Sequence, residues 1–203
     1  MGYRWKRTRQ SLKMFRNQAL FDKQKLEIEQ LVALEREDYI DLYFGDESHF
    51  GLTPNVPYAW QHKDNPILLP SKKSQKLSVF GLMSTQCQLF SKMVVGGFNS
   101  SEVIACIDDF VQTIKKKTII ILDNAPIHRS KAFKEKIKEW ENLDLYIYFL
   151  PPYSPELNKI EILWRFIKYK WLPFEAFVNF KNLKERLEFI LNNVGTKCSI
   201  NFY

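Results

Sequence analysis

The sequence of 203 residues has few cysteines and histidines and no long apolar run. Its three cysteines lack any CxxC spacing, which argues against a disulfide framework and a zinc knuckle and is typical of a reduced intracellular protein. There is no P-loop, no GxGxxG and no nucleophile elbow, so nucleotide hydrolysis, dinucleotide binding and acyl transfer lack their usual motifs. Neither a secretory signal nor a membrane-spanning run is present. We therefore expect a cytoplasmic protein.

The charge of the chain favours a polyanionic partner. The net charge is +7 and the pI is about 9.2, values that suit nucleic acid binding. The hydrophobic content of 45% can fill one core. We expect a basic arm and linker helix over residues 1–38 and one domain over residues 39–203. Six cations precede the first acidic residue of the arm: Arg4, Lys6, Arg7, Arg9, Lys13 and Arg16.

The hydrophobic pattern predicts an α/β domain. An antiparallel meander of three strands feeds two strand–helix–strand crossovers, which gives a mixed five-stranded sheet with helices on its faces. Residues 51–75 are rich in proline, asparagine and lysine and are expected to form a long insertion. The predicted strands are 39–50, 76–84, 89–98, 118–122 and 145–150. The predicted helices are 21–37, one that begins after Asn99, 130–140, 159–171 and 182–193.

Three carboxylates are placed at the ends or starts of these elements. Asp123 follows a buried β-branched strand, and Asp46 is expected at the carboxyl end of another, where α/β sheets carry their sites. Glu161 falls in the first turn of a helix. A buried carboxylate is costly unless it is paired, hydrogen-bonded or bound to metal. The three acids are therefore candidates for one functional site.

Each of these acids also has a structural interpretation. Asp123 is followed by asparagine, alanine and proline, which can simply open a loop. Glu47, next to Asp46, is an alternative reactive group, although strand alternation points Asp46 towards the covered side of the sheet. Glu161 lies three residues after Asn158, the spacing of a capping box that needs no catalytic role.

Together, three acids in a basic chain suggest a metal site that acts on phosphates. Carboxylates repel phosphodiesters unless divalent cations neutralise them. Two ions about 4 Å apart can activate a water or a 3′-hydroxyl and stabilise the leaving oxygen of an in-line displacement. Oxygen ligands with few histidines favour Mg²⁺ or Mn²⁺ over zinc. We expect two such ions, held by the three acids.

Several other residues are candidates for DNA contacts. Arg165 and Lys168 follow Glu161 by one and two helical turns and are placed to meet a DNA backbone. Trp60, Trp140 and Trp164 are expected to be packing residues, and Trp60 is also a candidate for stacking on an unpaired base. His128 could contact a phosphate or order Asp123, although a surface or helix-capping role is the simpler interpretation. The basic arm contributes Arg4, Arg7 and Arg9.

At these residues the chain resembles a DDE transposase of the mariner superfamily, specifically the bacterial insertion-sequence branch numbered six-thirty. The resemblance begins at about residue 40, and its third motif is highly specific. The motifs are Gly-Asp-Glu-Ser at 45–48, Leu-Asp-Asn-Ala-Pro-Ile-His at 122–128, and Leu-Pro-Pro-Tyr-Ser-Pro-Glu-Leu-Asn-Lys-Ile-Glu at 150–161.

The resemblance implies a ribonuclease H-like fold and a triad of Asp46, Asp123 and Glu161 with two divalent metals. Such proteins cleave transposon ends and join the 3′-hydroxyls to target DNA, which implies double-stranded DNA as partner, a homodimer in the DNA complex and a location at the bacterial nucleoid. The family pattern has proline where this chain has Lys159. The family also carries helix-turn-helix domains upstream, and this chain begins in what resembles the linker that follows them. We therefore expect a separately encoded helix-turn-helix subunit or a truncated copy. A structure-specific nuclease or a catalytically inactive DNA-binding remnant are the alternatives.

Overall fold

The computed structural model describes residues 13–55, 63, 64, 66, 68 and 75–200. Five strands form one mixed sheet in the spatial order β3-β2-β1-β4-β5, with β2 antiparallel to both of its neighbours and β4 parallel to both of its neighbours. The predicted mixed five-stranded sheet is confirmed. The strands are β1 (Asp41–Phe50), β2 (Leu77–Ser84), β3 (Leu89–Val95), β4 (Thr118–Leu122) and β5 (Leu145–Phe149).

Helices cover both faces of this sheet. Three of them pack with one face of the sheet in one core cluster, and two pack with the other face in a second cluster. The central strand β4 is covered on both faces, as the sequence predicted, because Ile121 lies in the first cluster and Ile120 in the second. The first cluster contains residues of α1 (Gln18–Arg36), α4 (Ile160–Phe166) and α5 (Phe180–Leu191), and the second contains residues of α2 (Ser100–Val111) and α3 (Lys131–Glu141).

The predicted elements all occur, most of them with shifted ends, while β4 has the predicted bounds. The capping box of Asn99 and Glu102 at the start of α2 is present in both directions. The helix predicted to reach residue 171 is α-helical only to Phe166 and continues as a π-helical segment, Ile167–Trp171. Most of the predicted insertion and the first twelve residues lie outside the described residues. Within the described part of the chain, none of the helices combines the length and apolarity needed to cross a bilayer.

The register between β1 and β4 brings two of the candidate acids to the same level. The parallel pairing runs from Asp41 opposite Thr118 to Phe44 opposite Ile121. Continued by two residues, this register aligns Asp46 with Asp123. The expectation that Asp46 ends its strand is wrong, because β1 stays paired with β2 as far as Phe50 while β4 stops earlier. Asp46 therefore lies inside a strand, beside the point where its parallel neighbour ends.

Helix α4, which carries Glu161, packs closely against Gly81 of β2. A Cβ atom at this glycine would lie 3.0 Å from Trp164 Cη2 and 3.1 Å from Ile160 Cδ1. We expect Gly81→Ala to lower the free energy of unfolding by about 1–3 kcal/mol, because the buried indole and the helix must move to admit a methyl group.

Urea denaturation of Gly81→Ala tests this packing. The matched control is Gly51→Ala, where a Cβ would meet no heavy atom within 4 Å. The control should change the free energy of unfolding by less than about 0.5 kcal/mol. Equal effects of the two substitutions would show that α4 does not need close contact with β2.

Candidate active site

The three candidate acids line one cavity of about 530 Å³. Asp46 comes from β1, Asp123 from the residue after β4, and Glu161 from the first turn of α4. The fold thus brings together side chains that are far apart in sequence. The other lining residues are Asn124, Ala125, Arg129, the loop 150–155 and Asn158.

Asp46 is the most deeply placed of the three acids. The indole Nε1 of Trp164 donates a hydrogen bond of 3.0 Å to its Oδ2 atom. Burial raises the pKa of Asp46 to about 7, and the negative charges of Glu161 and Asp123 add to the rise. Trp164 is a packing residue, as predicted, but it also orients this carboxylate. Near neutral pH the site therefore favours a proton or a cation at Asp46.

Asp123 is held by the turn that follows β4. The backbone amide of Ala125 donates to its Oδ1 atom at 3.1 Å, so the predicted loop-opening role is real. His128 Nδ1 lies 3.0 Å from the same oxygen. Burial opposes ionisation of Asp123, but the hydrogen bonds from His128 and Ala125 outweigh it and lower the pKa of the carboxyl.

His128 is buried, whereas its simpler interpretation placed it on the surface. Only 2% of its side chain is exposed, and it lies in a short 3-10 turn, Pro126–Arg129. Its imidazole packs against the Phe133 ring at a centroid distance of 5.4 Å. The buried turn therefore fixes the ring beside Asp123, which matches the ordering role that the sequence left open.

Glu161 is exposed to the cavity. The capping-box interpretation of this residue is wrong: Lys159 is the N-cap of α4 and makes no side-chain capping bond, while Asn158 Nδ2 donates to the carbonyl of Gly45 at 2.9 Å. That bond ties the start of α4 to β1, next to Asp46. Desolvation by the surrounding protein raises the pKa of Glu161, and the charge of Asp123 contributes in the same direction.

Two of the predicted DNA-contacting residues lie near the acids. The charges of Lys168 and Arg165 both lower the pKa of Glu161 and so partly offset its desolvation. Burial lowers the pKa of Lys168, whereas Glu161 and Asp46 oppose that change. Lys168 belongs to the π-helical segment, a helix type that is frequent at functional sites. The other predicted contacts, Arg4, Arg7, Arg9 and Trp60, lie outside the described residues.

Two lining residues had no distinctive signal in the sequence. Arg129 is exposed at the cavity, and it could have been suspected only from its position directly after His128. Asn124 Nδ2 donates to the carbonyl of Leu150 at 3.2 Å and so joins the loops that follow β4 and β5. By contrast, Glu47 alternates with Asp46 along β1 and points to the opposite face of the sheet.

The chemistry of this donor set fits a hard divalent cation. All three acids offer carboxylate oxygens, and mutual repulsion at Asp46 is what a cation would relieve. In the described part of the chain, however, no three or more His, Cys, Asp or Glu residues are grouped so that they could hold a metal ion among themselves. The acids share a cavity without forming a closed cage of protein ligands.

Comparison with known proteins gives a family match over most of the chain. The family model of the DDE superfamily endonucleases matches residues 41–184, which include all three acids. An uncharacterized protein, y4pE/y4sA, of Sinorhizobium fredii is 37% identical over 65 residues, which are 32% of this chain and 44% of that protein.

Solved structures share the fold. The Mos1 transposase paired-end complex with left transposon end matches with a TM-score of 0.64 and 16% identity, over 95% of this chain and 60% of the other. The Mos1 mariner paired-end complex with Mn gives a TM-score of 0.63 and 16% identity, over 96% and 61%. The catalytic domain of Mos1 mariner transposase gives 0.55 and 15%, over 93% and 85%. The predicted ribonuclease H-like fold is confirmed, and the chain spans about 60% of the Mos1 chains in the two paired-end complexes.

Proposed function

The chain belongs to the DDE superfamily endonucleases, and we propose that it is the catalytic domain of a mariner-type transposase of the insertion-sequence branch six-thirty. It would cut DNA at transposon ends and join the new 3′-hydroxyls to target DNA. The observation that supports this most strongly is the cavity that Asp46, Asp123 and Glu161 share. Carboxylates so placed in a basic protein suit metal-assisted chemistry on phosphodiesters.

The proposed role of the three acids is to hold Mg²⁺ or Mn²⁺, with two ions as the expected number. When bound, the ions would activate the attacking oxygen and stabilise the leaving one. Mg²⁺ usually takes one or two carboxylates and completes its shell with water and phosphate oxygens. Acids that line one cavity without forming a closed cage fit this coordination pattern. Trp164 and Asn158 would keep Asp46 and the start of α4 in place.

The basic side chains around the cavity would bind the phosphates of the DNA backbone. Arg129 lines the cavity, and the charges of Arg165 and Lys168 act on Glu161. Their role would be to place a phosphate next to the acids, since such contacts set register without reading sequence. Contacts by His128 to DNA are not needed, because its Nδ1 atom already faces Asp123. The arm residues Arg4, Arg7 and Arg9, and Trp60, remain predicted DNA contacts.

The partners follow from the same proposal. Double-stranded DNA would serve both as transposon end and as target, and the chain would work at the nucleoid as a homodimer on DNA. Two similar structures are described as a transposase paired-end complex and a strand transfer complex. A separately encoded helix-turn-helix subunit is proposed to supply end recognition.

Replacing Arg129 tests the proposed phosphate contact. Arg129→Ala should weaken DNA binding severalfold and lower the slope of log affinity against log salt by about 1, because one charge contact to the backbone is lost. Fluorescence anisotropy at several salt concentrations measures both quantities. Arg186→Ala, which removes an exposed arginine from α5, is the matched control and should change neither. Equal slopes for the two variants would remove Arg129 from the DNA interface.

A joining assay separates the proposed function from its alternatives. The chain is incubated with Mn²⁺, a duplex that carries the terminal sequence of its own mobile element with a free 3′-hydroxyl, and a supercoiled plasmid. A transposase domain should link duplex to plasmid. Nicks without joined product would indicate a structure-specific nuclease, and DNA binding without either product would indicate an inactive remnant.

A further inference from the structure

Three buried polar atoms in or beside the active site lack a hydrogen-bond partner among the described residues. They are Oδ1 of Asn158, Nε2 of His128 and Oε1 of Glu47. Buried polar atoms in native proteins are almost always satisfied, and each exception asks for an explanation. The exceptions at Nε2 of His128 and Oε1 of Glu47 can be satisfied together, because one water molecule can donate one hydrogen bond to the imidazole nitrogen and its other hydrogen bond to the carboxylate oxygen.

The fold places these two groups on the same side of the sheet. Glu47 pairs across β1 and β2 with Phe80, whose side chain belongs to the core cluster of α2 and α3. The His128 ring packs on Phe133, which belongs to the same cluster. The Ser100 hydroxyl, at the start of α2, also donates to the carbonyl of Ile127 at 2.7 Å and holds the histidine turn there. Burial raises the pKa of Glu47, and the interaction with His128 acts in the opposite direction, as expected for side chains that lie near each other.

The hydrogen bonds of His128 fix which of its nitrogen atoms is available. Its Nδ1 atom lies 3.0 Å from Asp123 Oδ1 and 3.2 Å from the Asp123 carbonyl oxygen, which are both acceptors for this contact. Nδ1 must therefore carry the hydrogen, and Nε2 is left to face the interior. Glu47 is the carboxylate on that side of the sheet whose own oxygen is also unsatisfied.

We propose that Glu47 is a positioning residue that holds Asp123 through His128. The proposed link runs from Glu47 through one bridging water molecule to Nε2 of the imidazole, and the observed contact of Nδ1 then reaches the Asp123 carboxylate. Its effect is to fix the rotation of Asp123 towards the cavity, in the way that outer hydrogen-bond partners orient metal ligands in general. The inference rests on the proposed function, because it assigns Asp123 to the metal. It also assigns different roles to Asp46 and Glu47, which are adjacent in β1 and point to opposite faces of the sheet.

The test compares Glu47→Ala with Glu47→Gln. Calorimetric titration of Mn²⁺ alone into the metal-free chain should show about 10- to 100-fold weaker binding for Glu47→Ala. Glu47→Gln should bind within about threefold of the wild type, because its amide can still pair with Nε2 directly or through water. Glu185→Gln, an exposed acid on α5, is the control for loss of one charge and should match the wild type.

Imidazole nitrogen NMR on the same metal-free proteins gives a second readout. The chain has three histidines, so the His128 signals can be assigned by comparison with His128→Gln. Glu47→Ala should move the Nε2 resonance of His128 and leave the other histidines unchanged. Unaltered Nε2 resonance and Mn²⁺ affinity in Glu47→Ala would overturn the inference. If Glu47→Ala does not fold, Glu47→Leu, which has similar size and no polar atom, replaces it, and an unaltered Nε2 resonance and Mn²⁺ affinity in that variant would also overturn the inference.

The outcomes also distinguish this inference from the proposed function. If the wild-type chain binds Mn²⁺ and joins DNA while Glu47→Ala behaves identically, only the role of Glu47 fails. If the wild-type chain binds no Mn²⁺ and neither cuts nor joins DNA, the proposed function fails, and the role of Glu47 fails with it.

Discussion

Asp123→Asn should reduce Mn²⁺-dependent cleavage and joining by about 10³-fold, because a metal ligand at this position contributes several kcal/mol of charge stabilisation in the transition state. Asparagine has nearly the same shape, and its side-chain oxygen can keep the hydrogen bonds from Ala125 and His128. The fold and the affinity for DNA should therefore change little. A single-turnover assay on labelled duplex measures cleavage and joining, and circular dichroism and anisotropy check fold and binding.

The control for Asp123→Asn is the same replacement at Asp109, an exposed residue of α2 that pairs with Lys92. Asp109→Asn should cut and join DNA at the wild-type rate. Cleavage by Asp123→Asn within about threefold of the wild-type rate would show that Asp123 is a loop-opening residue only. Loss of folding in Asp123→Asn alone would show that its carboxylate is structural.

Asp46→Asn should stabilise the metal-free protein at pH 8 while it abolishes activity. The rise of the Asp46 pKa from 3.8 to about 7 corresponds to a cost of ionisation on the order of 4 kcal/mol in the folded state. Well below pH 3.8 the carboxyl is protonated in both the folded and unfolded states, so there is no cost. The cost grows as the pH rises towards 7 and is complete above it. Asparagine removes the charge and can still accept the hydrogen bond from Trp164.

Urea denaturation in EDTA at pH 5 and pH 8 measures this effect. The gain in unfolding free energy for Asp46→Asn should be larger at pH 8 than at pH 5. Asp109→Asn should show no such difference, because its carboxylate is exposed. If the unfolding free energy of Asp46→Asn rises equally at both pH values, or falls at pH 8, Asp46 ionises in the folded protein without a free-energy cost. Saturating Mn²⁺ should instead stabilise the wild type and not Asp46→Asn.

Much of the fold could be predicted because the pattern of apolar residues is regular. The β-branched run of β4 and the capping box before α2 each specify an element locally. The position of Asp46 within its strand could not be predicted, because it depends on where β4 stops pairing with β1, which is a property of two segments. The π-helical continuation of α4 has no local sequence signature that separates it from an α-helix.

The three acids of the candidate site could be predicted from the sequence. The side chains that hydrogen-bond to these acids and position them were harder to predict. Three carboxylates could be read from their places in the elements, and the structure puts all of them in one cavity. The indole bond from Trp164 to Asp46 and the burial of His128 depend on tertiary packing that sequence periodicity does not contain. Arg129 could not be singled out because an arginine in a turn is usually a solvated surface residue.

Anomalous diffraction at the manganese edge, from crystals grown with Mn²⁺, tests whether the three acids hold metal. We predict density for manganese between the carboxylates of Asp46 and Asp123, with Glu161 as a ligand to the same or a second ion, and no such density in crystals of Asp123→Asn. Manganese bound elsewhere on the chain, with these three carboxylates left without a metal, would contradict the proposed active site.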